Sequence, residues 1–304
     1  MYNEEENVDL FLTKLIAILT KLTCDYTIIC VNDGSTDNTL NKLLAQYKKN
    51  SSIKIINLSR NFGKEKALTA GLDFSQGDVV IPIDSDLQDP PELIQDMVSQ
   101  WKKGFDVVYA TRRIRHGESW FKRSTASFFY KLINAISETP IPENTGDFRL
   151  IDKRVINAIR QLPEEARFMK GIFSWVGFKQ TSVMYDRQPR NSGKTSWNYW
   201  RLWNFAIDGF TSFSHLPIKI WSYIGFTISF LSLIYALILV SYVLTKGIKV
   251  PGYASLMVVI LFLGGINLIG LGVLGEYVGR IFIQVKRRPL YLVRELWGFE
   301  RDLS

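Results

Sequence analysis

The sequence predicts an α/β domain with a mainly parallel sheet, followed by two transmembrane helices. The first observation is that short apolar segments alternate with segments of helical periodicity over the first 110 residues. The second is that residues 220–245 and residues 250–275 contain no charged side chain. Each of these two segments is longer than the about 20 residues that cross a bilayer.

The elements of the α/β domain follow one another in a regular order. Apolar residues at helical spacing predict helices, and short apolar or alternating runs predict strands. The expected helices are 8–22, 40–47, 64–74 and 92–103, and the expected strands are 26–31, 53–58, 79–83 and 105–110. Strands that alternate with helices form parallel sheets with right-handed crossovers, and ligands bind at the carboxyl ends of such strands.

Three polar clusters come directly after predicted strands. Residues 32–38 read Asn-Asp-Gly-Ser-Thr-Asp-Asn, residues 60–64 read Arg-Asn-Phe-Gly-Lys, and Asp84 and Asp86 follow the strand at 79–83. Because the carboxyl ends of parallel strands meet at one edge of a sheet, we expect these clusters to converge there.

Asp84 and Asp86 are spaced two residues apart, so on an extended backbone their carboxylates point to the same side. Mg²⁺ is usually held by one or two carboxylates together with substrate phosphates. The pair therefore predicts a divalent metal site that holds a nucleotide diphosphate. The alternative is that both aspartates only cap the helix that begins at Pro90-Pro91.

Charge and motif content exclude several classes of protein. The 304 residues include 37 Lys and Arg against 29 Asp and Glu, a net charge of +8 that suits phosphorylated substrates, anionic lipid or nucleic acid. The sequence has no helix-turn-helix, zinc-finger or RNA-recognition signature, so we expect no nucleic-acid partner. It also lacks Gly-x-Gly-x-x-Gly after a strand and Gly-x-x-x-x-Gly-Lys-Ser/Thr, which disfavours dinucleotide oxidoreductases and P-loop ATPases.

The C-terminal part of the sequence predicts a membrane protein. The basic, aromatic segment at 119–136 is typical of a membrane-surface helix, although it is equally suited to packing on the sheet. The aromatic residues of 197–213, just before the first span, are typical of the interfacial belt. Basic residues are concentrated after the second span, which predicts that the large domain and the tail face the cytoplasm from the inner or plasma membrane. Six glycines in the second span suit packing within the chain or a homo-oligomer: Gly264, Gly265, Gly270, Gly272, Gly275 and Gly279.

Seven motifs give the chain a specific resemblance. They are Tyr2-Asn3-Glu4-Glu5, Asn32-Asp33-Gly34-Ser35, Asn61-Phe62-Gly63-Lys64, Asp84-Ser85-Asp86-Leu87-Gln88-Asp89-Pro90-Pro91-Glu92, Gly146-Asp147-Phe148-Arg149-Leu150, Trp175-Val176-Gly177-Phe178 and Arg190-x-x-Gly193. Together they resemble glycosyltransferase family 2, and more narrowly its membrane-anchored polyprenyl-phosphate glycosyltransferases. The tail motif Gly275-Glu276-Tyr277-Val278-Gly279-Arg280 is similar to the bactoprenol branch.

The resemblance implies a domain arrangement. A GT-A catalytic domain, which is Rossmann-like, would span 1–195, an interfacial amphipathic segment 196–218, two transmembrane helices 219–282, and a basic cytoplasmic tail 283–304. Two departures accompany it. Members of the family carry a strand before the Tyr-Asn-Glu-Glu motif, which here follows Met1, so we expect that strand to be missing. Many relatives also have lysine where this chain has Ser196.

The resemblance also implies roles for individual residues. Tyr2, Glu4, Asp33, Lys64 and Asp84 would bind the nucleotide sugar. The metal, Mg²⁺ or Mn²⁺, would be held by Asp84, Asp86 and Gln88. Asp84, Asp86 and Asp147 would be catalytic, with Asp147 acting either as a base or by positioning groups. The acceptor phosphate would be bound by arginines, each of which is otherwise an ordinary surface residue: Arg112, Arg123, Arg149 and Arg190.

The implied reaction is transfer of a hexose to polyprenyl phosphate with inversion, and we expect UDP-glucose and undecaprenyl phosphate as substrates. The alternatives are another donor, such as GDP-mannose or a UDP-aminosugar, and a membrane protein that binds nucleotide sugar without turnover. A processive polysaccharide synthase is disfavoured, because such relatives carry Gln-x-x-Arg-Trp and this chain does not.

Overall fold

The structure is a computed structural model, and it describes residues 1–22, 24–112, 145–162, 164, 165, 167, 169–185, 216–246 and 252–299. The chain divides into two compact units. The first comprises Met1–Gly209 and Arg288–Ser304, and the second comprises Phe210–Arg287. The predicted interfacial segments at 119–136 and 197–213 lie outside the described residues.

The first unit is an α/β unit whose described elements are spread over both parts of the chain that form it. Its helices are α1 Val8–Leu19, α2 Thr39–Lys49, α3 Lys64–Asp73, α4 Ile94–Lys102, α5 Lys153–Arg160 and α6 Met169–Trp175. Its strands are β1 Ile28–Asn32, β2 Ile53–Leu58, β3 Val79–Val80, β4 Val107–Arg112, β5 Thr145–Asp152, β6 Gln180–Tyr185 and β7 Val293–Trp297. A 3₁₀ turn, Pro91–Leu93, precedes α4.

The strands form two mixed sheets. The first sheet has the order β1-β2-β7, with β1 parallel to β2 and β7 antiparallel to β2. The second has the order β3-β5-β4-β6, with β5 antiparallel to both neighbours and β6 parallel to β4. The prediction of a mainly parallel sheet is therefore wrong. The antiparallel pairs all involve β5 or β7, whose charged residues hid them from a search for apolar runs.

The core of the first unit lies between the sheets and the helices that precede and follow the strands. Helix α1 buries Val8, Phe11, Leu12 and Leu15, which recur at the spacing that predicted it. These side chains belong to one cluster with the alternate residues of β1 and β2 that point inward. This packing fixes the end of β1, where the first polar cluster begins.

The end of β3 differs from the expected geometry. The strand stops at Val80, and residues 85 and 86 lie in a turn rather than on extended backbone. Leu87 then takes a positive φ of 57°, a conformation that costs free energy for a residue with a Cβ. The premise that Asp84 and Asp86 share one side of a strand was therefore wrong, because a turn of this kind re-aims each carboxylate separately.

The second unit consists of two long helices, α7 Leu216–Lys246 and α8 Tyr253–Val285. In the part of the chain that the structure describes, one segment, Phe262–Val285, has the length and composition to cross a membrane, with a mean hydropathy of 1.5. Gly270 of α8 lies against the indole of Trp221 of α7, where a Cβ would collide. This glycine therefore serves helix packing within the chain.

Candidate active site

Asp33 ties two of the predicted clusters together. Its carboxylate is buried at the end of β1, and its two oxygens accept hydrogen bonds from the backbone N–H groups of Phe62 (2.7 Å) and Gly63 (2.9 Å). Gly34 has a φ of 63° and lies so close to the backbone of Arg60 that a Cβ would collide with it. Asp33 and Gly34 thus position the 60–64 loop, and the nucleoside contact of Asp33 stays a prediction.

The N-terminal segment is joined to the same edge by reciprocal hydrogen bonds. The backbone N–H of Asn3 donates to Ser35 Oγ (3.0 Å), and the side-chain Oδ1 of Asn3 accepts from the N–H of Thr36 (2.9 Å). The N–H of Glu4 donates to Thr39 Oγ1 at 2.9 Å. Tyr2 is exposed, so its ring is free to contact a ligand from solvent. The N-terminal segment and the cluster at 32–38 therefore form one layer of loops. Asp33 joins the cluster at 60–64 to the same layer, so the first and second predicted clusters converge.

Lys64 is the centre of the site. Its Nζ lies 2.7 Å from Asp84 Oδ2 and 2.7 Å from Asp147 Oδ2, so one ammonium joins two of the predicted catalytic carboxylates. Burial by itself would lower the pKa of Lys64, but the attraction of Asp147 and Asp84 outweighs it and raises that pKa above its usual value. The ammonium is therefore charged throughout the neutral range.

Asp147 is more enclosed than Asp84, with a side chain that is 13% exposed against 42%. Burial alone would raise the pKa of Asp147, but Lys64 holds it below its usual value. Among the described residues its Oδ1 is buried without a hydrogen-bond partner. A buried carboxylate oxygen without a donor is costly, so it marks a place where a ligand donor would be stabilised.

Arg149 lies behind Asp147 on β5. The side chain is buried, its guanidinium carbon is 4.2 Å from the ring centre of Phe173, and Nη2 donates to the carbonyl of Gly146 at 2.8 Å. Burial lowers the pKa of Arg149 to about 10, and the charge of Asp147 acts against that shift. A guanidinium so enclosed is suited to balancing the charge of Asp147. Its predicted contact with the acceptor phosphate finds no support in this position.

Glu65 is a site residue that the sequence analysis did not select. Burial and the neighbouring charge of Asp147 raise the pKa of Glu65 to about 7. Its Oε2 accepts from the N–H of Met169 at 3.4 Å. An acidic residue in the first turn of a helix is common for dipole reasons, so its position after Lys64 gave no separate signal.

The 84–88 loop supplies the oxygen donors expected for a metal. Asp86 Oδ1 accepts from the N–H of Gln88 at 3.1 Å, and Gln88 is buried. Pro90 occupies the N-cap position of the 3₁₀ turn and makes no side-chain cap hydrogen bond, and the alternative that the aspartates cap this helix stays a prediction. Within the described ranges no cluster of three or more His, Cys, Asp or Glu is preassembled. Two carboxylates and an amide fit Mg²⁺ or Mn²⁺ only with substrate phosphates completing the shell.

The structure describes little of the other three arginines that were predicted to bind the acceptor phosphate. The backbone of Arg112 ends β4, while its side chain is not among the described groups. Arg123 and Arg190 lie outside the described residues. Their roles at the acceptor phosphate therefore stay predictions.

The sequence was compared with known proteins. The profile described as Glycosyl transferase family 2 matches residues 1–160. An uncharacterized glycosyltransferase of Synechocystis is 61% identical over 300 residues, covering 99% of this chain and 94% of the relative. The prophage-derived bactoprenol glucosyl transferase of Shigella flexneri is 45% identical over 295 residues, covering 97% of this chain and 96% of the relative. The solved mannosyl-3-phosphoglycerate synthase of Rubrobacter xylanophilus has a TM-score of 0.49 at 17% identity and covers 68% of each chain.

The carboxylate–lysine cluster, the family profile and the two relatives define a sugar-transferring enzyme. The chain belongs to glycosyltransferase family 2, and the predicted resemblance to that family is confirmed. Its first unit has the mixed-sheet, GT-A-like fold of the family.

Proposed function

We propose that this enzyme transfers a hexose from a nucleotide sugar to the phosphate of a polyprenyl phosphate. The observation that carries the proposal is the 45% identity, over nearly the whole chain, to a bactoprenol glucosyl transferase. That name also favours UDP-glucose as donor and undecaprenyl phosphate as acceptor. The exposed apolar helices of the second unit suit a lipid acceptor.

The reaction is a direct displacement at the anomeric carbon. A phosphate oxygen of the acceptor forms a bond to that carbon while the bond to the donor diphosphate breaks, and the nucleoside diphosphate leaves with the electron pair. The configuration of the sugar is therefore inverted. Asp84, Asp86 and Gln88 would hold a divalent cation. When bound, this cation would neutralise charge on the diphosphate.

Lys64 and Asp147 would have different roles in this reaction. The ammonium of Lys64 can donate to the diphosphate once it releases Asp84. Asp147 is a weak base, because Lys64 holds its pKa below the usual value, and an acceptor phosphate is already ionised at pH 7. We therefore assign Asp147 a positioning role, in which its unpaired Oδ1 accepts a hydrogen bond from a hydroxyl of the sugar.

Cationic side chains must also offset the repulsion between acceptor and donor phosphates. Arg112, Arg123 and Arg190 are assigned to the acceptor phosphate, since a planar guanidinium binds phosphate oxygens in pairs. Arg149 is assigned to the support of Asp147 instead, because it is buried.

Turnover by the purified full chain tests the proposal. With UDP-glucose, Mn²⁺ and a short polyprenyl phosphate, we expect glucose to appear on the lipid and UDP to be released in equal amounts. GDP-mannose and UDP-N-acetylglucosamine serve as donor controls. Release of UDP without transfer of glucose to the lipid would contradict the proposed acceptor. Binding of nucleotide sugar without any turnover would favour a non-catalytic binding protein.

The membrane arrangement yields a second prediction. We propose that α7 and α8 both span the membrane, with the first unit and the tail in the cytoplasm. Because β7 follows α8 in the chain and pairs with β2, we expect the two ends of the helical unit to emerge on the same side. In sealed inside-out vesicles, protease should therefore remove a C-terminal tag, and in right-side-out vesicles the tag should be protected. The opposite pattern would refute a cytoplasmic tail.

A further inference from the structure

A row of polar side chains crosses the first sheet from the C-terminal strand to the predicted nucleotide loops. Asn32 of β1 is in register with Asn57 of β2, and Asn57 is in register with Glu295 of β7. Side chains in register on neighbouring strands lie on the same face, so the three form one continuous row. Asn32 and Asn57 are both buried, and polar groups are seldom buried without partners.

The hydrogen bonds along this row all run in one direction. The N–H of Asn3 donates to Ser35 Oγ, and Ser35 Oγ donates to Asn32 Oδ1 at 2.6 Å. Asn32 Nδ2 donates to Asn57 Oδ1 at 2.8 Å, and Asn57 Nδ2 donates to Glu295 Oε2 at 3.1 Å. Ser35, Asn32 and Asn57 each accept on one side and donate on the other, so each bond polarises the next.

The carboxylate at the end of the row fixes the direction of the whole row. Glu295 has no proton to give when ionised, so Asn57 must turn its NH₂ toward it and its carbonyl toward Asn32. Asn32 must then present its carbonyl to Ser35. If the carboxylate were absent, both buried amides would be able to rotate, and Ser35 would lose a fixed acceptor.

We propose that Glu295, on the strand that follows the membrane helices, is a positioning residue for the nucleotide-binding loops at 2–4 and 33–38. It acts through Asn57, Asn32 and Ser35, and the last of these holds the backbone of Asn3 beside Tyr2 and Glu4. This inference rests on the proposed function, because that function places the donor nucleotide at these loops.

Steady-state kinetics of three variants on the same strand test the inference. Glu295→Ala should raise the KM for UDP-glucose by roughly 5- to 10-fold, since a hydrogen bond to a charged group is lost. The kcat and the KM for polyprenyl phosphate should stay within about twofold. Glu295→Gln keeps an acceptor oxygen and should restore most of the donor affinity. Arg294→Ala, on the neighbouring exposed residue of β7, is the matched control and should behave as wild type.

Amide hydrogen exchange of the unliganded protein gives a readout that does not depend on turnover. In Glu295→Ala, residues 33–38 should exchange faster, while β2 and β7 keep their protection. Wild-type exchange and wild-type donor KM in this variant would overturn the inference. Faster exchange throughout β2 and β7 would also overturn it, because Glu295 would then only hold the strand in place. If the wild type itself fails to bind UDP-glucose while residues 33–38 respond as expected, the proposed donor is wrong and the coupling stands.

Discussion

Asp86→Ala is expected to lower kcat on the order of 100- to 1,000-fold with little change in the free energy of unfolding. The physical reason is that charge develops on the leaving diphosphate, and loss of one element of its electrostatic stabilisation typically costs 10²- to 10³-fold. Asp86 lies in a turn and its Oδ1 accepts a hydrogen bond from the N–H of Gln88. Thermal unfolding in detergent and kcat at saturating UDP-glucose would measure the two effects.

Asp96→Ala is the matched control, because Asp96 is an exposed carboxylate on α4. It should keep wild-type turnover. Wild-type protein in excess chelator should resemble Asp86→Ala, and Mn²⁺ should restore the wild type but not the variant. Full activity of Asp86→Ala, or of the chelated wild type, would exclude the metal role of this loop.

Lys64→Met is expected to change two quantities in opposite directions. The specificity constant kcat/KM for the donor should fall about 10- to 100-fold, because a charge-assisted hydrogen bond to the diphosphate is lost. The affinity for Mn²⁺ without donor should rise about fivefold, because the cation that competes for Asp84 is gone. The Lys64 side chain is 54% exposed, so solvent screening limits the repulsion between its ammonium and a bound Mn²⁺ to roughly 1 kcal/mol.

The Mn²⁺ affinity can be measured by electron paramagnetic resonance of free Mn²⁺ during a titration of protein. Lys66→Met, two residues further along α3, controls for the loss of one positive charge from this helix. An unchanged Mn²⁺ affinity in Lys64→Met would mean that Lys64 and the metal do not share Asp84. A higher donor kcat/KM would mean that Lys64 only blocks the site.

Local sequence patterns predicted most of the first unit up to β4. The bounds of β2 agree with the predicted strand, and α3 begins at the predicted Lys64. Periodicity identifies such elements because each buries one face. It does not specify strand direction, and it missed β5, β6 and β7, in which charged or polar residues leave no long apolar run. Those strands are stabilised by partners that are distant in sequence, which no local window contains.

The candidate site was predicted to a different degree. The conjunction of Asp84 and Asp147 follows from the family motifs, but the ammonium of Lys64 between them depends on the fold. Glu65 and Asn57 were missed because an acid in the first turn of a helix and a polar residue at the end of a strand are both common. Only the register of β1, β2 and β7 shows that Asn57 lies between Asn32 and Glu295.

The pairing of β7 with β2 has a consequence for biosynthesis. Asn57 and Glu295 are 238 residues apart in the chain, and both helices of the second unit are synthesised between them. Since a chain is made from its N-terminus, β2 cannot pair with β7 until both helices of the second unit have been synthesised. Closing so long a loop is slow. Anchoring of α7 and α8 in a bilayer would hold the late strand near its partner, so maturation of the sheet is expected to follow membrane insertion.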